Sequence, residues 1–294
     1  MKYVITGSLG NISKPLAEAL LKEGHEVTII TSNHKNEEAI KAMGAKPAVG
    51  TVEDRKFLNE TFKDNDVVYT MVPPKWDADD WKGWIAGIGD NYVTAIKDAG
   101  IKYVVNLSSV GAHMPDGCGP VSGLHRVEEA MNALEGVHIK HLRPAYFYPN
   151  LFSQVGLIKG AGIMGANFGD VAFPMIDPED IAKAAAEELL ELGFTGKSVR
   201  YLAGDKRTGA EIASVIGKAI GKDDLTWVVF SDEQNIEGMK GVGLSGEVSK
   251  QYTEMGGAMR TGEMSADFEK HKPGFSGVGL EEFALLFKAA FDRG

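Results

Sequence analysis

The 294-residue sequence contains a single cysteine, Cys118. One thiol can form neither an internal disulfide nor a cysteine-based zinc cluster, so no such staple organises the fold. Basic residues are the second shortage: 31 lysines and arginines stand against 41 acids, a formal net charge of −10. A surface of that sign repels phosphate backbones and anionic lipid, which argues against nucleic-acid and membrane partners. Long apolar runs are missing too. The run at residues 3–5 stops at Thr6-Gly7, too short for a signal-peptide core, and no later stretch approaches the roughly 18 apolar residues of a membrane span. A cytoplasmic protein is expected. Neither an internal repeat nor a low-complexity tract is visible. What is present, 44% hydrophobic residues with 24% charged and 36 glycines, describes a globular chain rich in turns and able to bury a full core. At roughly 150 residues per domain its length suggests two domains, or one domain with an elaborated lobe.

Hydrophobic periodicity switches regularly between strand and helix. Residues 2–6 form a β-branched and aromatic run broken by Gly7, and Ile12, Leu16, Ala19 and Leu20 then recur at helical spacing until Gly24. Strands are expected at 25–31, 45–49, 66–72, 102–107 and 137–143, with helices at 36–43, 54–62, 80–99 and 120–134 between them. Such alternation calls for a parallel sheet covered by helices on both faces, a doubly wound α/β fold. Trp76, Trp81 and Trp84 resemble a stacking platform, but helical spacing favours core or lid packing. Residues 150–174, with the stretch GAGIMGANFG, show little periodicity and read as an irregular lobe leaving the sheet; 156–169 is expected to be a mobile lid. Asp177 then caps a new helix with Pro178 in its first position. A strand at 198–203, a helix at 209–221, a strand at 225–230 and helices near 232–241, 245–255 and 280–291 complete the reading.

The strongest chemical signal is Thr6-Gly7-Ser8-Leu9-Gly10-Asn11-Ile12-Ser13, because it follows a predicted strand and opens a predicted helix. There Gly7 permits a tight turn, Gly10 lets backbone approach a pyrophosphate, and the helix amino terminus offers unpaired N–H donors. Ser13 takes the third small position. Gly7, Ser8, Leu9, Gly10, Asn11 and Ile12 are therefore the expected dinucleotide contacts. An acid about 20 residues past the glycines would select NAD through the ribose 2′-hydroxyl. Thr31-Ser32-Asn33-His34-Lys35 has none before Glu37, and donors at Ser32, Asn33 and Lys35 suit a 2′-phosphate, favouring NADP with NAD as the alternative. Met71, Val72 and Pro73 close the fourth strand beside the switch-point crevice and are expected to wall the cofactor.

TGSLGNIS, YVVNLSSVGA on the fifth strand, VEEAM on the following helix and LRPAYFYPN after the sixth strand resemble the NmrA-like family of atypical short-chain dehydrogenases/reductases, from residue 1 to about 204 and weakly beyond. The resemblance implies a Rossmann-type domain binding NADP or NAD and a smaller carboxyl-terminal substrate lobe. Residues 1–150, with 178–204 returning, are assigned to the first; 151–177 and 205–294 to the second. Such families contain quinone, isoflavone and ether reductases as well as redox-sensing regulators.

Catalytic short-chain dehydrogenases carry Tyr-x-x-x-Lys on the helix after the fifth strand, the lysine lowering the tyrosine pKa for proton transfer. Registering Glu128 on the family glutamate places Pro120 and Leu124 in those slots; a one-residue shift places Val121 and His125 there. Neither register preserves the dyad. Ser109 matches the strand-end serine, either as a donor to a substrate carbonyl or as a strand cap. His125 is the nearest titratable group, a proton donor oriented by Glu129 or a helical histidine with an ion-pair neighbour. His113 is a weaker candidate, and His138 and His141 pack or face solvent. Cys118 is expected to be accessible but unactivated, with no basic cluster around it. Tyr146 and Tyr148 share a face of an extended segment, where Tyr146 is expected beside the nicotinamide or in a seam between lobes. The leading expectation is an NADPH-dependent reductase of a small conjugated, quinone-like electrophile, with His125 or water as proton source; the competing one is a non-catalytic NADP-binding redox sensor. A small molecule is the expected partner, and no motif points to a protein partner.

Overall fold

The computed structural model describes residues 1–271 and 273–293. Its first half alternates without exception: β1 (Lys2–Ile5), α1 (Ser13–Lys22), β2 (Glu26–Thr31), α2 (Glu37–Ala42), β3 (Lys46–Val49), α3 (Arg55–Phe62), β4 (Val67–Thr70), α4 (Trp81–Ala99), β5 (Tyr103–Leu107), α5 (Pro120–Asn132) and β6 (His138–Pro144). Then follow β7 (Tyr146–Phe147), α6 (Val155–Ala161), β8 (Ile163–Ala166), β9 (Phe173–Ile176), α7 (Pro178–Glu191), β10 (Lys197–Leu202), β11 (Asp205–Arg207), α8 (Gly209–Ile220), β12 (Thr226–Val229), α9 (Asp232–Gly241), α10 (Gly246–Thr261), α11 (Ala266–His271) and α12 (Leu280–Arg293). Several helix starts coincide with side-chain caps. Asp54 accepts from the amides of Lys56 and Phe57, Asp80 from that of Gly83 and Asp177 from that of Glu179, each satisfying donors that a first turn leaves free.

Seven strands form one parallel sheet in the order β10-β6-β5-β4-β1-β2-β3. Strand order reverses between β1 and β4, so the crevice above their carboxyl ends is the natural ligand position of such a sheet. Alternation divides the core in two. Tyr3, Ile5, Val67, Tyr69 and Val105 face a layer that includes α1, α7, α8 and α12, while Val4, Val68 and Val104 face α3, α4 and α5. Because both faces are covered, every residue of β4 is buried. A polar chain crosses the sheet inside this core: Thr70 Oγ1 donates to Asn106 Oδ1 at 2.9 Å, Asn106 Nδ2 lies 3.1 Å from His141 Nδ1, and His141 Nε2 lies 3.1 Å from Asn132 Oδ1. Burial pushes the His141 pKa down, which suits one accepting and one donating ring nitrogen.

Two expectations need correction. Residues 150–174 are not irregular, since they contain a 3-10 turn (Tyr148–Gln154), α6, β8 and the start of β9. β8 pairs in parallel with β12, and β9 pairs with β7 and β11, partners that local periodicity does not reveal. One of the glycines here serves close packing: a Cβ on Gly165 would lie 2.5 Å from the Val228 carbonyl oxygen. The mobile-lid reading of 156–169 therefore gives way to paired structure. Nor is Cys118 accessible. It is fully buried, and burial beside Glu254 pushes its thiol up to about 12. The Asp-Gly-Cys-Gly segment is held against α10, where a Cβ on Gly119 would lie 2.0 Å from the Gln251 carbonyl oxygen. Among the described residues no helix is long and apolar enough to cross a membrane.

Candidate functional site

A cleft of about 520 Å³ runs along the carboxyl ends of the parallel strands. Gly7, Ser8, Gly10, Asn11, Ile12 and Ser13 form its floor at the β1–α1 turn. Gly7 has φ +92°, and a Cβ there would lie 2.3 Å from Ser13 Oγ, so both conformation and space require glycine. Ser13 Oγ donates to the Thr6 carbonyl at 2.8 Å, tying the first turn of α1 to β1. A serine in the third small position thus packs the helix on the strand by a hydrogen bond. The Lys14 amide bonds back to Gly10 and the Leu16 amide to Ile12, whereas those of Asn11, Ile12 and Ser13 have no backbone acceptor among the described residues. Three unpaired donors at a helix amino terminus are an anion cradle.

At the β2–β3 end the cleft is walled by Ile30, Thr31, Ser32, Gly50, Thr51 and Val52. Ser8 Oγ donates to Thr31 Oγ1 at 2.8 Å, and Asn36 Nδ2 lies 2.9 Å from Ser8 Oγ and 3.2 Å from Thr31 Oγ1. Asn36 therefore locks this rim; only its place one turn past β2 hints at that from sequence. Glu37 is turned aside to His34, whose Nδ1 lies 2.9 Å from the carboxylate. Asn33 and Lys35 do not line the cleft. Both are exposed on the 3-10 turn His34–Asn36 and its cap, with Asn33 Oδ1 accepting from the Lys35 amide.

The other end is walled by Tyr69, Met71, Pro73, Pro74, Leu107, Phe147, Pro149, Asn150 and Pro178. Met71 is pinned twice: its amide donates to Thr6 Oγ1 at 2.8 Å and its carbonyl accepts from Tyr92 Oη at 2.7 Å. Tyr69 Oη is buried without a partner, and burial holds its phenol protonated far above the usual range. Side-chain direction decides the remaining contacts. Leu9 packs on the core layer of α1, Val72 packs on that of α4, and Tyr146 turns away so that Phe147 takes the wall. Tyr146 stacks edge-on with Phe168 and Phe173 instead. Phe147, Gly50 and Thr51 were recoverable only from the rule that strand carboxyl ends border the crevice.

His125 and Ser109 lie outside this lining. Ser109 Oγ donates to the Val110 carbonyl at 2.9 Å, and His125 Nδ1 lies 2.8 Å from the Ala112 carbonyl oxygen. The latter bond fixes the proton on Nδ1 and leaves Nε2 as the free nitrogen. Ala112, not Glu129, orients the imidazole; no ion pair joins Glu129 to it among the described residues. Val121, one turn earlier, is buried. Glu128 of VEEAM and Arg143 of LRPAYFYPN meet as a buried bidentate pair, Nε to Oε1 at 3.0 Å and Nη2 to Oε2 at 2.6 Å. Arg143 Nη1 also donates to Tyr201 Oη at 2.8 Å, and Tyr201 Oη to Asp267, so two distant motifs and α11 share one polar cluster. His113 stands beside it, its Nδ1 buried without a partner and its pKa pushed down by burial.

A family model, the NmrA-like family, matches residues 2–231. Among curated proteins, a (4-alkanoyl-5-oxo-2,5-dihydrofuran-3-yl)methyl phosphate reductase of Streptomyces griseus is 23% identical over 219 residues, 74% of each chain. Among solved structures, an NADPH-dependent quinone oxidoreductase from Escherichia coli, complexed with NADPH, superposes with a TM-score of 0.82 at 22% identity over 96% of this chain and 98% of that one. A Citrobacter sp. triphenylmethane reductase complexed with NADP(H) gives 0.80 at 18% identity over 98% and 100%.

Proposed function

This chain belongs to the NmrA-like family, and from that membership we propose that it is an NADPH-dependent reductase passing hydride to a small conjugated, quinone-like electrophile. The observation that carries the reading is the cleft itself, where three unpaired amides leading into α1 and a glycine that no Cβ can replace underlie a crevice at the sheet's switch point. The relatives named above, two of them bound to NADPH or NADP(H), add support. Asn11, Ile12 and Ser13 would hold the pyrophosphate. Ser32, with Asn33 and Lys35 on the rim, would meet a 2′-phosphate, and Glu37, engaged by His34, is no competing acid. Met71, Pro73 and Phe147 would wall the other end. When bound there, the dinucleotide supplies hydride.

The α5 positions that would hold a tyrosine-lysine dyad carry Pro120 and Leu124, or Val121 and His125. With no phenol-ammonium pair to polarise an ordinary ketone, the favoured acceptor is one whose reduction needs little acid, such as a quinone. His125 or water would deliver the proton, and Ser109 would donate a hydrogen bond to the acceptor. Calorimetric titration tests the cofactor: NADPH should bind more tightly than NADH, and equal affinities remove the NADP assignment. Following NADPH absorbance over an acceptor panel tests the reaction, with quinones reduced and secondary alcohols and nucleotide sugars inert. The missing dyad also favours a second reading, a redox sensor. An inert panel together with different protease sensitivity in NADPH and NADP would establish it, since a ligand shifts conformation only by differential binding.

A further inference from the structure

The β4–β7 end of the cleft is apolar with one buried exception. Met71, Leu107, Phe147 and Pro178 carry no nitrogen or oxygen in their side chains, and among the described lining residues at this end only Tyr69 and the exposed Asn150 do. Tyr69 is strand-paired on both sides, with Ile5 of β1 and Val105 of β5, so it meets the cleft through its side chain rather than its backbone. That side chain belongs to the layer of α1 and α7, where Ile12, Ser13 and Pro178, from the starts of both helices, line the same cleft.

Tyr69 is 1% exposed, and its Oη is buried without a hydrogen-bond partner among the described residues. Burial raises the phenol pKa, so Oη keeps its proton at neutral pH and is a donor. A buried donor with no acceptor costs stability. Small-ligand sites combine apolar walls with a few polar groups that fix orientation, and this end of the cleft has one such buried group.

We propose that Tyr69 orients the nicotinamide: the ring packs along the apolar end of the cleft, and its carboxamide oxygen accepts a hydrogen bond from Tyr69 Oη. This rests on the dinucleotide reading of the cleft and deepens it by assigning a residue to the end that delivers hydride. The match is one of chemistry. A nicotinamide attached through its ring nitrogen has apolar faces and one strong acceptor, the carboxamide oxygen. The phosphates are better matched to the three amides leading into α1, because an anion calls for several donors at once. No protein hydrogen bond has to break for the phenol to turn toward a ligand.

Calorimetric titration of wild type and Tyr69→Phe with NADPH, NADP and 2′-phospho-ADP-ribose tests this, the last ligand having the phosphates but no nicotinamide. Tyr69→Phe should weaken NADPH and NADP by about three- to tenfold, the loss of a single hydrogen bond, and leave 2′-phospho-ADP-ribose unchanged. Without ligand, the variant should unfold about 1–4 °C higher than wild type, since it keeps the ring and loses an orphaned donor. A merely structural hydroxyl would move stability the other way. The preference can also be read in the wild type alone: thio-NADP, with sulfur in place of the carboxamide oxygen, should bind about three- to tenfold more weakly than NADP, and Tyr69→Phe should erase that difference. Unchanged NADPH affinity in Tyr69→Phe, equal loss for 2′-phospho-ADP-ribose, or equal wild-type affinity for NADP and thio-NADP would overturn the assignment and leave the cofactor reading standing. A wild type that binds neither NADPH nor NADP would remove both.

Discussion

At its β1–β2 end the cleft is built mostly from backbone supplied by short, contiguous segments: residues 7–13, the end of β2 and the end of β3. At its β4–β7 end the walls are side chains from β4, β5, β7 and α7. The first end depends on torsion angles and amide directions that a glycine and a helix start dictate locally. The second depends on which way each side chain points after segments distant in the chain have packed. In the proposed function, cofactor binding would therefore be specified within a few residues, while acceptor choice would be spread over the chain.

The comparison breaks most visibly at Gly7. Gly7→Val combines a forbidden φ with a Cβ 2.3 Å from Ser13 Oγ, and should weaken NADPH by more than about a hundredfold, or beyond detection, in calorimetry. Retained affinity would show that the turn is not the cradle. On the other side, Arg143→Met leaves Glu128, 3% exposed, without its bidentate partner, and should destabilise the fold by about 3–5 kcal/mol in urea unfolding. Adding Glu128→Leu should recover much of that loss, since an apolar pair need not be desolvated against its charge. A loss below about 1 kcal/mol in the single variant, the range of an exposed pair, would contradict the buried bond seen here.

His125→Ala sharpens the contrast between binding and chemistry. Quinone turnover should fall about ten- to a hundredfold, as for loss of a general acid, with NADPH affinity unchanged. A wild-type rate would retire the imidazole and leave water as proton source. The smallest effect belongs to the exposed rim, where Lys35→Ala should weaken NADPH by about threefold and leave NADH alone, because exposed ion pairs contribute little. Equal loss for both cofactors would place Lys35 away from the 2′-phosphate.

Residues 2–143 were legible as alternating strands and helices because each element carries its own period and its own stop signal: Gly24, the Asp54 and Asp80 caps, Pro73-Pro74. The glycine turn was legible for the same reason, its geometry being set by residues adjacent in the chain. Local pattern failed where partners come from elsewhere. β8 has its mate in β12, Cys118 is buried by α10, and one step of strand parity sent Phe147 rather than Tyr146 to the cleft wall. His125 could be singled out as titratable, but the Ala112 carbonyl that orients it is a loop contact that no helical spacing encodes. What the sequence determined alone were the torsions, caps and periods of single elements, which are short-range. Only the tertiary structure decided which side chains share a space, because burial and hydrogen bonding between distant segments exist only once the sheet has brought them together.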